Sequence, residues 1–277
     1  MNESQQTTPW RLILNTKPAP GSWNMAIDEA ILELMDSGKI SPTLRLYAWN
    51  PPCLSLGQAQ PVSEVDFPSL ILNGWDVVRR PTGGRAILHT DEITYSVIGP
   101  ENDPRLSGNI LESYHRIAGA LLKALEILNL EAIIKKSTTI PDKQPSPVCF
   151  EVPSTYEITV GGKKILGSAQ ARRRNCVLQH GSLPLRGDLT RITQALVFND
   201  ETARQIAAER LLKHATTVEM VTGMQVTWEK AAMSFIRGFT DKLNIKLTPG
   251  TLTSEELALA KKLCEEKHKN DNWIRHF

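Results

Sequence analysis

Tyr156-Glu157-Ile158-Thr159-Val160-Gly161-Gly162-Lys163-Lys164-Ile165-Leu166-Gly167 decides what kind of fold this chain adopts. Two β-prone runs, Tyr156 to Val160 and Lys164 to Gly167, flank a Gly-Gly pair, the signature of a tight hairpin turn. Val177 to Leu183 returns as a further strand, so the middle of the chain predicts a sheet built in several passes. Toward the N-terminus, Trp10 to Asn15 reads as a first strand. Ser22 then caps a helix whose apolar residues Met25, Ile27, Ile31, Leu34 and Met35 recur at helical spacing until Gly38. Asp28 and Glu29 read as acidic residues placed favourably against the start of that helix, not as an acid and base. Leu44 to Trp49 and Leu54 to Gln58 are two adjacent short strands broken by Pro51-Pro52. Trp75 to Arg79, Ala86 to His89 and Glu92 to Ile98 follow as strands, the first two joined by the turn Pro81-Thr82-Gly83-Gly84.

From Ser107 to Leu130 the period becomes helical, with Ile110, Ile117, Leu121, Leu125 and Leu128 as the buried stripe. Ser137 to Val148 carries Pro141, Pro145 and Pro147 among polar residues and reads as a mobile loop. Further helices are expected at Asp200 to His214, Trp228 to Leu243 and Ser254 to His268. Strands that are not regularly separated by helices fit a doubly wound nucleotide-binding fold poorly. The expected class is α+β, a mixed β-sheet core flanked by helices, with a catalytic unit over 1–248 and a helical C-terminal extension over 249–277.

Composition narrows the function classes. Of 277 residues, 41% are hydrophobic and 22% charged, the balance of a folded chain. With 32 basic and 30 acidic side chains the net charge is only +2, so no global field draws the chain to nucleic acid or to an anionic membrane. No apolar run reaches the ~20 residues that span a bilayer, and Met1 to Thr8 lacks the features of a signal peptide, so a cytoplasmic protein is expected. The four cysteines, Cys53, Cys149, Cys176 and Cys264, are scattered and read as free thiols. The six histidines show no zinc-ligand spacing, so neither a metal nor another cofactor is expected.

Three stretches place glycines, bases and a thiol where core packing does not ask for them. In Arg79-Arg80-Pro81-Thr82-Gly83-Gly84-Arg85-Ala86-Ile87-Leu88-His89, absent Cβ atoms permit close approach of a ligand to backbone amides. A Gly pair alone is a simple turn; the flanking Arg79, Arg80 and Arg85 favour a site. No Gly-Lys-Ser/Thr follows, so this is not a P-loop. In the second stretch, Lys164 precedes the small residues Gly167, Ser168 and Ala169, which leave room for a substrate, whereas Lys163 adjoins the turn and reads as solvated. The third, Gln179-His180-Gly181-Ser182-Leu183, lies beside the second if the two strands pair, and its single histidine reads by composition as structural. Cys149 leaves the Pro-rich segment and suits a nucleophile, provided that Lys164 or His180 lowers its pKa from about 8.5. Cys53 and Cys264 sit in apolar patterns and read as buried, and Cys176 is a weaker rival. Arg172-Arg173-Arg174 is the one dense basic run, either a docking patch for an acidic partner or a solvated turn.

Together with Asn24-Met25-Ala26-Ile27-Asp28-Glu29-Ala30 and Leu54-Ser55-Leu56-Gly57-Gln58, these stretches resemble, from about Trp10 to about Leu189, the lipoate and octanoate protein ligase and transferase family, whose fold is shared with biotin protein ligases. Ligases of that family commonly carry a third glycine where this chain has Arg85, a departure that points away from ATP-dependent adenylation. Cys149-Phe150-Glu151-Val152-Pro153-Ser154 is similar to the Gram-positive type of octanoyltransferase. That resemblance implies a transfer of octanoate in lipoate biosynthesis, with Cys149 carrying it as a thioester and Lys164 orienting the substrate. It implies a substrate pocket drawn from Arg79, Arg80, Thr82, Gly83, Gly84, Arg85, His89, Gly167, Ser168, Ala169, Gln179, His180 and Gly181. Octanoyl-acyl carrier protein is the implied donor. Lipoyl-bearing domains, such as the glycine cleavage H protein and the E2 subunits of 2-oxoacid dehydrogenases, are the implied acceptors. An ATP-dependent lipoate-protein ligase and an amidotransferase working between lipoyl domains are the alternatives.

Overall fold

The structure is a computed structural model that describes residues 7–38, 40–136 and 156–276. The Pro-rich segment and Cys149 lie outside the described residues. In chain order the strands are β1 (Thr8–Leu14), β2 (Thr43–Tyr47), β3 (Cys53–Leu56), β4 (Asp76–Arg79), β5 (Ile87–His89), β6 (Glu92–Pro100), β7 (Ala132–Lys136), β8 (Tyr156–Val160), β9 (Lys163–Arg173), β10 (Cys176–Pro184) and β11 (Ile245–Pro249). The α-helices are α1 (Gly21–Met35), α2 (Phe67–Asn73), α3 (Ile110–Ile127), α4 (Glu201–His214), α5 (Val218–Thr222), α6 (Trp228–Leu243), α7 (Ser254–Leu263) and α8 (Asp271–Ile274).

Eight strands form the main sheet in the order β11-β1-β2-β6-β10-β9-β8-β7, and β4-β3-β5 form a second, smaller sheet. The main sheet is mixed: β1 runs parallel to β2 and β11, while β6, β10, β9, β8 and β7 pair antiparallel in turn. Successive side chains on a strand face opposite sides, and this alternation gives the sheet two different faces. Leu44, Leu46, Ile93, Tyr95 and Val97 pack with Ile117, Leu121 and Leu125 of α3 and Phe235 and Phe239 of α6. On the other side Ile13, Ile98 and Leu178 meet Ile27 and Ile31 of α1 and Ala260 of α7.

The hairpin and the helices from Trp228 and Ser254 appear where the pattern places them, and β9 and β10 pair, with Gly167 opposite Ser182 and Ala169 opposite His180. Several readings need correction. β2 and β3 are consecutive in the chain but belong to different sheets, because the Pro51-Pro52 break redirects the chain instead of turning it into a hairpin. Helix α1 begins at Gly21 after Pro20 with no side-chain cap. Asp28 and Glu29 are not placed against its dipole; both are buried and paired with residues distant in sequence. Helix α3 starts at Ile110, where Asn109 and Glu112 make a reciprocal capping box, and Ile110 itself is exposed. Two strands lacked a periodic signal, the five-residue β7 and β11.

Candidate active site

Between the main sheet, the small sheet and α1 lies a cavity of about 250 Å³. Met25, Tyr47, Trp49, Ile87 and Ala169 give it an apolar wall. Lys164, Arg80, Arg85, His89 and His180 also line it, and Gly84, Gly167, Ser168 and Gly181 complete it among the residues expected from the sequence. Arg79, Thr82, Gly83 and Gln179 do not line it.

The fully buried Arg79 donates to the carbonyls of Gly57, Gln58, Gln60 and Ile274, so it ties the chain end to the base of the glycine turn. Burial holds its guanidinium below the usual arginine range. Arg80 donates to the carbonyls of Ser55, Gly83 and Arg85 and shapes the turn from inside. Gly84 has φ +93°, and a Cβ on Gly57 would stand 1.8 Å from the Gly84 carbonyl oxygen, so the two glycines permit a contact that no other residue pair allows. Arg85, where the ligases commonly have glycine, pairs with Glu64 at 3.0 Å.

Gln179 lies on the opposite face of β10, where it donates to the Tyr95 hydroxyl, and that hydroxyl is 2.7 Å from Ser168 Oγ. A Cβ on Gly181 would come within 2.9 Å of the Tyr95 ring and 2.7 Å of Ser168 Oγ. Thr82 Oγ1 stands 2.6 Å from His180 Nε2, and His180 Nδ1 faces Asp28 Oδ2 at 3.6 Å. Asp28 accepts in addition from Arg45, Tyr47 and Ser96. Burial opposes its ionisation, but the Arg45 guanidinium and the His180 ring more than offset this, and its carboxyl lies below the usual range. Burial likewise holds the His180 ring below the ordinary imidazole value, despite Asp28 beside it.

Lys164 is only 5% exposed, and its ammonium is 3.1 Å from Glu157. Lys163 is exposed and donates to the Leu212 carbonyl. Of the described thiols, burial pushes Cys53 well above its ordinary value and Cys176 up to about 11, and neither lines the cavity. Among the described residues no group of three or more His, Cys, Asp or Glu is arranged to hold a metal ion. Arg172 donates to Ser113 and Arg173 pairs with Glu29, both side chains staying half-buried, while Arg174 is exposed in a left-handed turn.

A family model described as the lipoyl protein ligase A/B catalytic domain matches residues 20–240. The chain belongs to this family. Relatives include octanoyltransferase LipM of Geobacillus kaustophilus, 40% identical over 95% of this chain and 97% of its own, and the Bacillus subtilis LipM, 36% identical over 97% and 98%. Among solved structures, a bipartite lipoate protein ligase from Thermoplasma acidophilum superposes with a TM-score of 0.80 at 27% identity, over 97% of this chain and 96% of its own. The family fold, a mixed sheet with flanking helices, is the one expected from the sequence.

Sequence reasoning missed Ser55, Trp49, Thr94 and Ser182, which also line the cavity, and Asp28 and Glu92 behind it. Alternation along Leu54-Ser55-Leu56 held a usable signal, a polar residue between two that face the core. For Asp28 there was none, since its partners come from strands far along the chain.

Proposed function

We infer that this acyltransferase moves an octanoyl group from an acyl carrier protein, through a thioester on Cys149, to a lysine of a lipoyl-bearing domain. The observation that carries the reading is the cavity itself: an apolar wall around a nearly buried Lys164, bordered by the glycine turn, in a chain 40% identical to an octanoyltransferase. The apolar wall holds the acyl tail at about 0.8 kcal/mol per buried methylene. The donor is already a thioester, so exchange onto Cys149 is nearly balanced and amide formation runs downhill without ATP. Passing the group through the enzyme divides one protein-to-protein transfer into two easier steps. The acceptor amine, with an ordinary pKa near 10.4, must lose a proton before it attacks, and the Lys164 cation disfavours a second ammonium beside it. The Glu157 carboxylate holds that cation in place.

Incubation with octanoyl carrier protein is expected to add an octanoyl mass that hydroxylamine removes and that Cys149→Ala never acquires. An adduct that persists in Cys149→Ala, or lipoyl-domain modification that requires ATP, overturns the reading.

A further inference from the structure

Ser55 and His89 line the cavity, and Glu92 stands in a row behind them. Ser55 Oγ is 2.8 Å from His89 Nε2, and His89 Nδ1 is 2.7 Å from Glu92 Oε1. The row is braced from two sides. The Trp49 ring stacks on His89 with centroids 3.9 Å apart, and Thr94 donates to Glu92 while accepting from Trp49 Nε1. With Nδ1–H donating to the carboxylate, Nε2 presents its lone pair to the serine hydroxyl, the arrangement by which an imidazole accepts a proton through a hydroxyl. A second hydroxyl–imidazole row, Thr82 with His180, ends in a hydroxyl that does not line the cavity, so it pins the glycine turn. Ser55 does line it.

We propose that Ser55, His89 and Glu92 are the proton exit for the acceptor amine in the second transfer, a role that rests on the acyl-enzyme proposed above. As the amine nitrogen bonds to the thioester carbon, its proton passes to Ser55 Oγ while the Ser55 proton passes to His89 Nε2, and Glu92 stabilises the imidazolium. The C–S bond breaks, the sulfur leaves as a thiolate, and the proton on His89 returns to it, so the enzyme ends as it began. Ser55 is the group that meets substrate; His89 and Glu92 act through it. Arg80 donates to the same serine oxygen, which draws electron density from it and favours relay over attack. The charged and titratable groups around the imidazole are Glu92 from β6, Arg80 and Arg85 from the glycine turn, Lys164 from β9, His180 from β10, Tyr47 from β2 and Cys53, which pairs with His89 across β3 and β5.

The test uses the full chain, loaded with octanoate from its carrier protein, and follows single-turnover transfer to a lipoyl domain from pH 6.5 to 9.5. His89→Gln, its rate counted per octanoyl-loaded molecule so that any change in loading is divided out, is expected to transfer about 100-fold more slowly at pH 7. The deficit should narrow toward pH 9.5, where hydroxide increasingly takes that proton in the variant. Hydroxylamine, neutral at pH 7, should discharge both proteins equally. Glu92→Gln, which keeps a carbonyl acceptor, supplies the same comparison with a smaller deficit should His89→Gln not load. A deficit independent of pH, equal slowing with hydroxylamine, or a hydroxylamine-resistant octanoyl ester on Ser55 overturns the relay and leaves the Cys149 reading intact. Failure of the wild type to load removes the Cys149 reading and the relay with it.

Discussion

Glu29→Gln offers a quantitative test of how the chain end is held. Glu29 is 1% exposed; its Oε1 pairs with Lys267 at 2.5 Å and Arg173 at 3.0 Å, and its Oε2 with His268 at 2.9 Å. Burial opposes its charge, but the hydrogen bonds and charges of His268 and Lys267 more than offset this and pull its pKa to about 2. Against an unfolded value near 4.3, at 1.36 kcal/mol per unit, the carboxylate contributes about 3 kcal/mol. Because the folded value is the lower one, that contribution is complete above about pH 4.3 and is lost as pH falls toward 2. Glu29→Gln should therefore lower stability by about 3 kcal/mol at pH 7, a urea midpoint about 1 M lower at a slope near 3 kcal/mol per M. The difference should shrink below pH 4. A variant within about 0.5 kcal/mol of wild type at pH 7, followed by tryptophan fluorescence, refutes the reasoning.

Gly57→Ala should abolish transfer and lower the urea midpoint, since its Cβ would overlap the Gly84 carbonyl and force the turn open; unchanged kinetics would show that the turn yields freely. Asp28→Leu strands the fully buried Arg45 without its carboxylate, and a loss of about 3–5 kcal/mol is expected by denaturation. Cys53 and Cys176, buried and raised in pKa, should resist a pulse of iodoacetamide at pH 7.5 until urea unfolds the chain, as read by peptide mass mapping. Lys164→Ala should still fold while losing at least 100-fold in transfer to a lipoyl domain, measured by gel shift of the acceptor; a smaller loss would leave Lys164 a merely structural role.

The parts of this molecule that sequence reveals are those fixed by neighbours in the chain. Gly161-Gly162 takes positive φ at both residues, and the strands on either side follow from it. Trp228 to Leu243 keeps one apolar face throughout, and its limits were readable to the residue. Lys164 and the glycine turn reach one cavity because β9 pairs with β10, whose His180 reaches across to Thr82. What could not be read is set by contacts across the fold. Asp28 looks like an ordinary acidic helix residue until Arg45, Tyr47 and Ser96 arrive from β2 and β6. Arg79 and Arg80 advertise a ligand site, yet both guanidinium groups are engaged with backbone carbonyls, which no local pattern announces.

The two faces of the main sheet have a consequence for how such an enzyme diversifies. On β2, β6 and β10 the residues facing α3 and α6 carry the packing, while their immediate neighbours Tyr47, Thr94, His180 and Ser182 border the cavity. The shape of the cavity can therefore be changed at Met25 or Ile87, or at every second position of three strands, with the helical layer behind left as it is. Cavity shape and robustness are thus adjustable separately, one residue out of step with the other.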